Sequence, residues 1–299
     1  MRIGITGANG MLGKALTIHL SKVHKLFATS RNQGVKGENI EWSCFDLTDT
    51  MLLLKWLNKI KPDVVIHCAA IVNVDTCEEN VDAAMAIHVK ATKVMVDYLN
   101  DNNGRLIYIS TDSVFDGMKK NTYNEADLTN PFNVYAETKL MGEDFTQSMD
   151  GGLVLRTNII GWTQEGRASF AEWVLKGLIN NEALSLFYDV YFSPLTVYDL
   201  SLIIEKIIEY PIFGLYHCAS SDSISKYEFG VLMAKIFQLS DASISKVSVD
   251  SITFKASRPK NMALNIEKIS SIVDCNFPSV IDAIRLMKSQ YDNNNNLLN

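Results

Sequence analysis

Tyr135 and Lys139 stand four residues apart in the segment from Pro131 to Lys139, Pro-Phe-Asn-Val-Tyr-Ala-Glu-Thr-Lys, and their types and spacing suit proton transfer. On a helix this spacing puts both side chains on one face, a turn apart. Pro131 suits a helix entry, because proline lacks the N–H that the first turn leaves unpaired. A free phenol with a pKa of ~10 exchanges protons poorly at neutral pH. An ammonium held ~4 Å away at an effective dielectric of ~20 favours phenolate by ~4 kcal/mol, close to ~3 pKa units, and so brings the phenol into range. Solvated helix faces show the same spacing. The pair therefore gains meaning only beside a hydride carrier and a second hydroxyl.

A second hydroxyl is at hand. The apolar stretch Gly104 to Ile109 reads as a strand and ends in Ser110-Thr111-Asp112-Ser113-Val114-Phe115-Asp116-Gly117. A polar cluster at the carboxyl edge of a buried strand is where chemistry is expected, although a turn rich in Ser and Asp has the same composition. Thr111 lies 24 residues before Tyr135, so the intervening loop can bring its hydroxyl to the same carbonyl.

The hydride carrier is indicated at the start of the chain. A short strand, Arg2 to Thr6, runs into Gly7-Ala8-Asn9-Gly10-Met11-Leu12-Gly13 and then a helical pattern to about Ser21. Strand, glycine-rich turn and helix N-terminus together receive a pyrophosphate. Gly7 allows the tight turn, Gly10 the approach of phosphate, and Gly13 the packing of helix on strand. Asn9, Met11 and Leu12 join them as expected cofactor contacts. The spacing is G-x-x-G-x-x-G, one variant of the dinucleotide fingerprint. An ordinary strand-to-helix turn is the plainer reading.

The second strand, His24 to Ser30, ends without the acid that holds the ribose hydroxyls of NAD; the next acid is Glu38. Ser30 and Arg31 point instead to the 2′-phosphate of NADPH, with NADH left open and a solvated loop cation as the plainer reading of Arg31. A third strand, Ile40 to Phe45, leads to Asp46 and Leu47, a place for the adenine, and Thr48 is expected to cap the next helix. A fourth, Asp63 to His67, leads to Cys68-Ala69-Ala70, where Ala69 and Ala70 let a cofactor lie close to the backbone. His67 reads as a strand-end residue satisfied by its neighbours. A long helix is expected from Asn80 to Asn100. Strands alternating with helices imply an α/β fold, a doubly wound parallel sheet of Rossmann type, with a small C-terminal α/β substrate-binding lobe.

The 299 residues, 47% hydrophobic and 21% charged, can bury a sizeable core. The net charge of -6 and the lack of a Lys/Arg run argue against a nucleic-acid partner. Cys44, Cys68, Cys77, Cys218 and Cys275 are scattered and read as reduced thiols of a cytoplasmic protein, with no metal-ligand spacing among them. The N-terminus enters a strand directly, without a cleavable leader, and no apolar run reaches the ~18 residues needed to span a membrane. The expected organisation is a dinucleotide-binding domain over 1–156, joined by helices and a strand from 190–215. A mainly substrate-binding lobe follows over 157–291, and a disordered tail over 292–299.

Several stretches together resemble the extended short-chain dehydrogenase/reductase superfamily and, within it, the dTDP-4-dehydrorhamnose reductase family. They are residues 6–13, Lys61-Pro62-Asp63-Val64-Val65-Ile66-His67, Cys68-Ala69-Ala70 with Val74-Asp75-Thr76-Cys77-Glu78, residues 110–117, Asn133 to Lys139, and Ser257-Arg258-Pro259-Lys260-Asn261-Met262-Ala263-Leu264-Asn265. The resemblance implies Thr111, Tyr135 and Lys139 as the catalytic set and NADPH-dependent reduction of the C4 keto group of a nucleoside-diphosphate 4-keto-6-deoxy sugar. Asp112, Val114, Phe115, Asn158 and Arg258 are then expected to meet the substrate. It leaves open a 4-epimerase or dehydratase, and a non-catalytic subunit like that of methionine adenosyltransferase. A homodimer is compatible with it, and no cluster suggests the Mg²⁺ that some relatives use. Two departures stand out. Ile159 replaces an expected aromatic, with Trp162 a candidate to fill its space, and Phe192-Ser193-Pro194-Leu195-Thr196 carries Leu195 where the family more often has Gly-x-Pro-Thr. Helices are expected over Ala168–Asn180, Val197–Glu209 and Lys226–Phe237, a strand over Leu215–Cys218, and a last helix ending near Tyr291.

Overall fold

A computed structural model describes residues 1–163, 168–210, 212–252, 254 and 258–296. In chain order the strands are β1 (Arg2–Thr6), β2 (Lys25–Ser30), β3 (Ile40–Cys44), β4 (Val64–His67), β5 (Arg105–Thr111), β6 (Gly152–Thr157), β7 (Ile159–Ile160), β8 (Leu184–Phe187), β9 (Tyr191–Phe192), β10 (Leu195–Thr196), β11 (Gly214–His217), β12 (Ile224–Ser225) and β13 (Ile244–Val247). The helices are α1 (Met11–Leu20), α2 (Thr50–Ile60), α3 (Val74–Glu79), α4 (Val81–Met85), α5 (Ala91–Asp101), α6 (Val134–Gln147), α7 (Phe170–Ile179), α8 (Val197–Glu209), α9 (Lys226–Phe237), α10 (Glu267–Ser270) and α11 (Val280–Asn296).

A seven-stranded sheet runs in the order β11-β6-β5-β4-β1-β2-β3, and every neighbouring pair in it is parallel. Its inner strands β1, β4, β5 and β6 are short, mostly apolar runs buried on both faces, as parallel pairing under two helical layers requires, while the edge strand β3 is only half-buried. On one face, Leu12, Leu16 and Leu20 of α1 meet Leu200, Ile203 and Ile207 of α8 in a common core with the strands. On the other, Leu53, Trp56 and Leu57 of α2 meet Met95 and Leu99 of α5. The chain order reverses between β1 and β4, so the crevice for a ligand opens there, at the strands' carboxyl ends. A separate core forms around α7, α9, α11 and Phe192. Among the described residues, no helix is long and apolar enough to cross a membrane.

Several boundaries differ from expectation for local reasons. The helix expected over 80–100 starts after Asn80, which caps it by accepting the Ala83 N–H at 3.0 Å, and runs to Asp101 with a π-helical turn over Ala86–Lys90. Asp49 rather than Thr48 caps α2, accepting from the N–H groups of Met51 and Leu52 at 3.1 and 3.0 Å, while Thr48 donates its own N–H and hydroxyl to Asp46. Pro131 lies ahead of the α6 cap, which is Asn133, bonded to the Ala136 N–H at 2.9 Å. The last helix continues past Tyr291 to Asn296, so residues 292–296 are helical where a disordered tail was expected, and 297–299 lie outside the described residues. A Lys288–Asp292 pair at 2.5 Å, one turn apart, bridges that extension.

Helix α6 is joined to β5 and β6 by ionic contacts. Arg156 of β6 donates through Nε to both oxygens of Glu143, at 3.0 and 3.1 Å, and through Nη2 at 2.6 Å. Ser110 of β5 donates to the same carboxylate. Both charged side chains are buried, at 0% and 3% exposure. Breaking such a pair leaves one charge without compensation. Replacing Arg156 with Met is therefore expected to lower the unfolding free energy by ~3–5 kcal/mol, measured by urea titration; a loss below ~1 kcal/mol would contradict this role.

Candidate active site

Strand β5 ends at Thr111 and passes into a 3-10 turn, Asp112–Val114, which Thr111 caps by accepting the Ser113 N–H at 3.1 Å. The first turn of α6 presents Tyr135 there, where its phenol feels the Thr111 hydroxyl; that hydroxyl donates to Asp112 Oδ1 at 3.2 Å. Lys139, one turn on, is 2% exposed. Its ammonium donates to the Ile109 carbonyl at 2.6 Å and lies 3.9 Å from the centroid of the Tyr108 ring. The three residues expected from the sequence thus gather at one strand edge.

Their electrostatics run against the expectation of a lowered phenol. Burial pushes Tyr135 up to about 12; the Thr111 hydroxyl opposes this, and the charges of Asp112 and Cys77 reinforce it. Burial likewise brings Lys139 down to about 7, with Glu143 and Cys68 acting in the other direction. Desolvation disfavours the charged form of each group and is the largest influence on both. A phenol in this state holds its proton at neutral pH and can only donate it.

His88, in the π-helical turn, is a site neighbour that the sequence did not reveal. Its Nε2 accepts the Ile71 N–H at 3.0 Å. Nδ1 must then carry the proton, which it donates to Thr138 Oγ1 at 2.8 Å. Thr138 in turn donates to the Val134 carbonyl at 2.7 Å. The imidazole meets the Tyr135 ring edge-on, centroids 5.8 Å apart at 82°. His67 bonds Thr6 through Nδ1 at 2.7 Å, but its Nε2 is buried without a partner, so its neighbours satisfy only half of it. Burial, then the charge of Lys139, depresses His67 to about 3 and His88 to about 2.

Over the glycine-rich turn lies a cavity of about 510 Å³, lined by Asn9, Gly10, Met11 and Lys14, by Asn32 to Val35 after β2, and by Trp162 and Thr163. Gly7 has φ +63°, and a Cβ there would stand 2.7 Å from the Ala69 backbone; one on Gly13 would stand 2.2 Å from the Gly7 carbonyl. The turn is thus closed against Ala69 and α1, and its other side faces the cavity. This cradle fits the pyrophosphate and ribose of a dinucleotide. Lys14, missed in the sequence, lines it, whereas Ser30 and Arg31 are not among its lining residues. The Ser30 hydroxyl donates to the Asn32 carbonyl, and Arg31 is exposed, its charge felt by Asp46. Leu12 and Leu47 are buried in core clusters, so they offer only backbone, and Ala70 is half-buried.

Of the expected substrate contacts, Asp112 is 1% exposed and accepts from Asn158 Nδ2 at 2.6 Å. Val114 and Phe115 are both 0% exposed. They belong to a core with Tyr123, on which Phe115 stacks at 4.1 Å, so their side chains serve packing and, against expectation, are not open to a sugar. Arg258 pairs with Asp75 at 3.3 Å, and Ser257 before it lies outside the described residues.

Residues 1–292 match the family model described as the RmlD substrate binding domain. The chain belongs to that family. A dTDP-4-dehydrorhamnose reductase of Aggregatibacter actinomycetemcomitans is 28% identical over 90% of this chain and 92% of its own. Methionine adenosyltransferase 2 subunit beta of Rattus norvegicus is 29% identical over 91% of this chain and 82% of its own. The crystal structure of the Bacillus anthracis dTDP-4-dehydrorhamnose reductase in complex with NADP superposes with a TM-score of 0.83 at 26% identity, covering 97% of this chain and 99% of that one.

Within the RmlD family pattern, the two departures noted in the sequence turn out to be neighbours. Leu195 of β10 pairs with Ile159 of β7, so the short parallel bridge beside the site is apolar on both strands. Trp162 packs on Tyr291, centroids 5.9 Å apart, and reaches the cavity over the glycine turn. Among the described residues, no group of three or more His, Cys, Asp or Glu is placed to hold a metal.

The neutral histidines carry a pH signature. An unfolded histidine takes up a proton below a pH of ~6.5, while the folded rings of His67 and His88 resist protonation down to about 3 and 2. The stability they contribute is complete above that range and is lost as pH falls. Between pH 7 and pH 5 each should cost ~2 kcal/mol of unfolding free energy, read from urea titrations at the two pH values. Equal stability at both would contradict neutral burial.

Proposed function

We propose that this chain is an NADPH-dependent reductase of the C4 keto group of a nucleoside-diphosphate 4-keto-6-deoxy sugar, acting in deoxysugar synthesis in the cytoplasm. The observation that carries the reading is the gathering of Thr111, Tyr135 and Lys139 at the carboxyl edge of β5, together with the cavity of about 510 Å³ over the glycine turn. A bound nicotinamide supplies hydride to the keto carbon. Tyr135 donates its proton to the keto oxygen, and Thr111 holds that oxygen by its hydroxyl as charge develops there. Lys139, fixed by the Ile109 carbonyl, would hold the nicotinamide ribose of a bound cofactor and favour the phenolate left after proton transfer. The backbone of residues 7–13 would hold the pyrophosphate, and Lys14, which lines the same cavity, would add a positive charge near it.

Replacing Tyr135 with Phe should reduce turnover at least ~100-fold, the scale of a lost general acid, while NADPH binding, followed by fluorescence, stays within twofold. Near-normal NADPH oxidation by this variant would take Tyr135 out of the mechanism. The substrate itself is found by screening NADPH oxidation against dTDP-, UDP- and GDP-linked 4-keto-6-deoxy sugars.

The likeness to the methionine adenosyltransferase subunit, as strong as that to the reductases, supports a second reading, a non-catalytic NADP-binding subunit. A stable complex with a partner enzyme, together with no NADPH oxidation across the panel, is the result that favours it.

A further inference from the structure

We propose that Tyr108 is a positioning residue that acts through Lys139: the face of its ring carries the lysine's ammonium and holds it against the carboxyl end of β5. The inference deepens the reductase reading and rests on it for the role of Lys139.

Tyr108 stands three residues before Thr111 on β5 and is 0% exposed. Its hydroxyl sits against α6 at Gly142, where a Cβ would stand 2.2 Å from the phenol oxygen. Lys139 precedes that glycine by three residues on the same helix, and its Nζ lies 3.9 Å from the centroid of the Tyr108 ring. The ammonium also donates to the carbonyl of Ile109 at 2.6 Å. Two consecutive residues of one strand thus offer a ring face and an oxygen to the same cation. The Tyr108 hydroxyl lies 3.4 Å from the Lys139 carbonyl and 3.4 Å from the His88 carbonyl. It has one proton for the two, and both contacts are long, so it contributes little. The ring is the part that matters.

The ring is needed because other partners are scarce. Lys139 is 2% exposed, and among the described residues the acceptor recorded for its ammonium is the Ile109 carbonyl. On its own helix, Glu143 is taken up by Arg156 and Ser110, and Tyr135 is held neutral by burial. From the end of β4, His67 and Cys68 face it as neutral groups, and so does His88 from the π-helical turn. A desolvated ammonium with a single acceptor is costly. An aromatic face supplies the missing negative potential, and most strongly where water is excluded. Burial brings Lys139 down to about 7, with Glu143 and Cys68 opposing. The ring works on the opposing side, since it favours the charged form. A lysine poised so near neutrality has little charge to spare. Without the ring, much of it would be uncharged and unable to favour the phenolate left by Tyr135.

The test places Phe at position 108, which keeps the ring face and drops the hydroxyl. Singly and triply fluorinated phenylalanines at the same position keep the shape but drain the ring face of its negative charge. Lys139 is titrated by NMR of carbon-labelled lysine side chains, its signal identified by its absence from Lys139→Met. The pH dependence of kcat/KM for NADPH oxidation is followed in parallel with dTDP-, UDP- and GDP-linked 4-keto-6-deoxy sugars. Tyr108→Phe should titrate as wild type does. The triply fluorinated protein should show Lys139 lowered by ~1 pKa unit or more, the scale of attraction between a desolvated cation and a ring. The singly fluorinated protein, which disturbs packing least, should fall between. The alkaline limb of kcat/KM should move down by the same amount, because the charged lysine is the active form. A Lys139 titration indifferent to fluorination, or the whole shift already present in Tyr108→Phe, overturns the proposal. A fluorination-dependent titration in a protein that oxidises NADPH with none of these sugars would uphold the hold on Lys139 and refute the reductase reading.

Discussion

Helix α6 lies unusually close to β5, and the geometry of the site depends on that approach. A Cβ on Gly142 would stand 2.2 Å from the Tyr108 hydroxyl and 2.6 Å from the His88 carbonyl, so only glycine lets the helix settle at this depth. Tyr135, Lys139 and Glu143 then form one stripe at four-residue spacing. The stripe runs from the strand edge, where the phenol meets Thr111, through an ammonium against the Ile109 carbonyl, to a carboxylate locked to Arg156. The start of the helix, beside Tyr135, is set by a neighbour: Glu78 of α3 accepts the Val134 N–H at 2.9 Å, placing a negative charge there.

The same depth decides the protonation states. A helix spacing states how far apart a phenol and an ammonium lie, but not how much water surrounds them. In this site little water remains, and desolvation keeps Tyr135 neutral and weakens the hold of Lys139 on its proton. For a reaction that ends in protonation of an oxygen, a neutral phenol is the useful starting state. In the proposed reduction the ammonium would act on the phenolate left after proton transfer rather than on the resting phenol.

What could be read from the sequence was local. The glycine turn, the strand edge at Thr111 and the Tyr-Lys pair each occupy a few consecutive residues whose types state their purpose, and alternation of strands and helices gave the parallel sheet. His88 and Lys14 escaped because each takes its place from residues distant in the chain: Ile71 and Thr138 for the one, the loop after β2 for the other. A lone histidine or lysine on a helix carries no mark of such company. Val114 and Phe115 misled for the opposite reason, since they sit inside a family motif but serve the core beneath it. The run of asparagines suggested a tail, although nothing in an already formed amphipathic helix forbids a further turn of polar residues.

The seventh strand has a consequence for how the molecule must be made. β11 reaches the sheet only after the chain has left β6 and built α7 and α8, and it then pairs with β6 through Leu153 to Arg156. Until residues 214–217 have emerged from the ribosome, β6 is a bare edge with its N–H and C=O groups open to any extended neighbour. Nascent or truncated chains ending before this strand should therefore be the aggregation-prone forms of the protein.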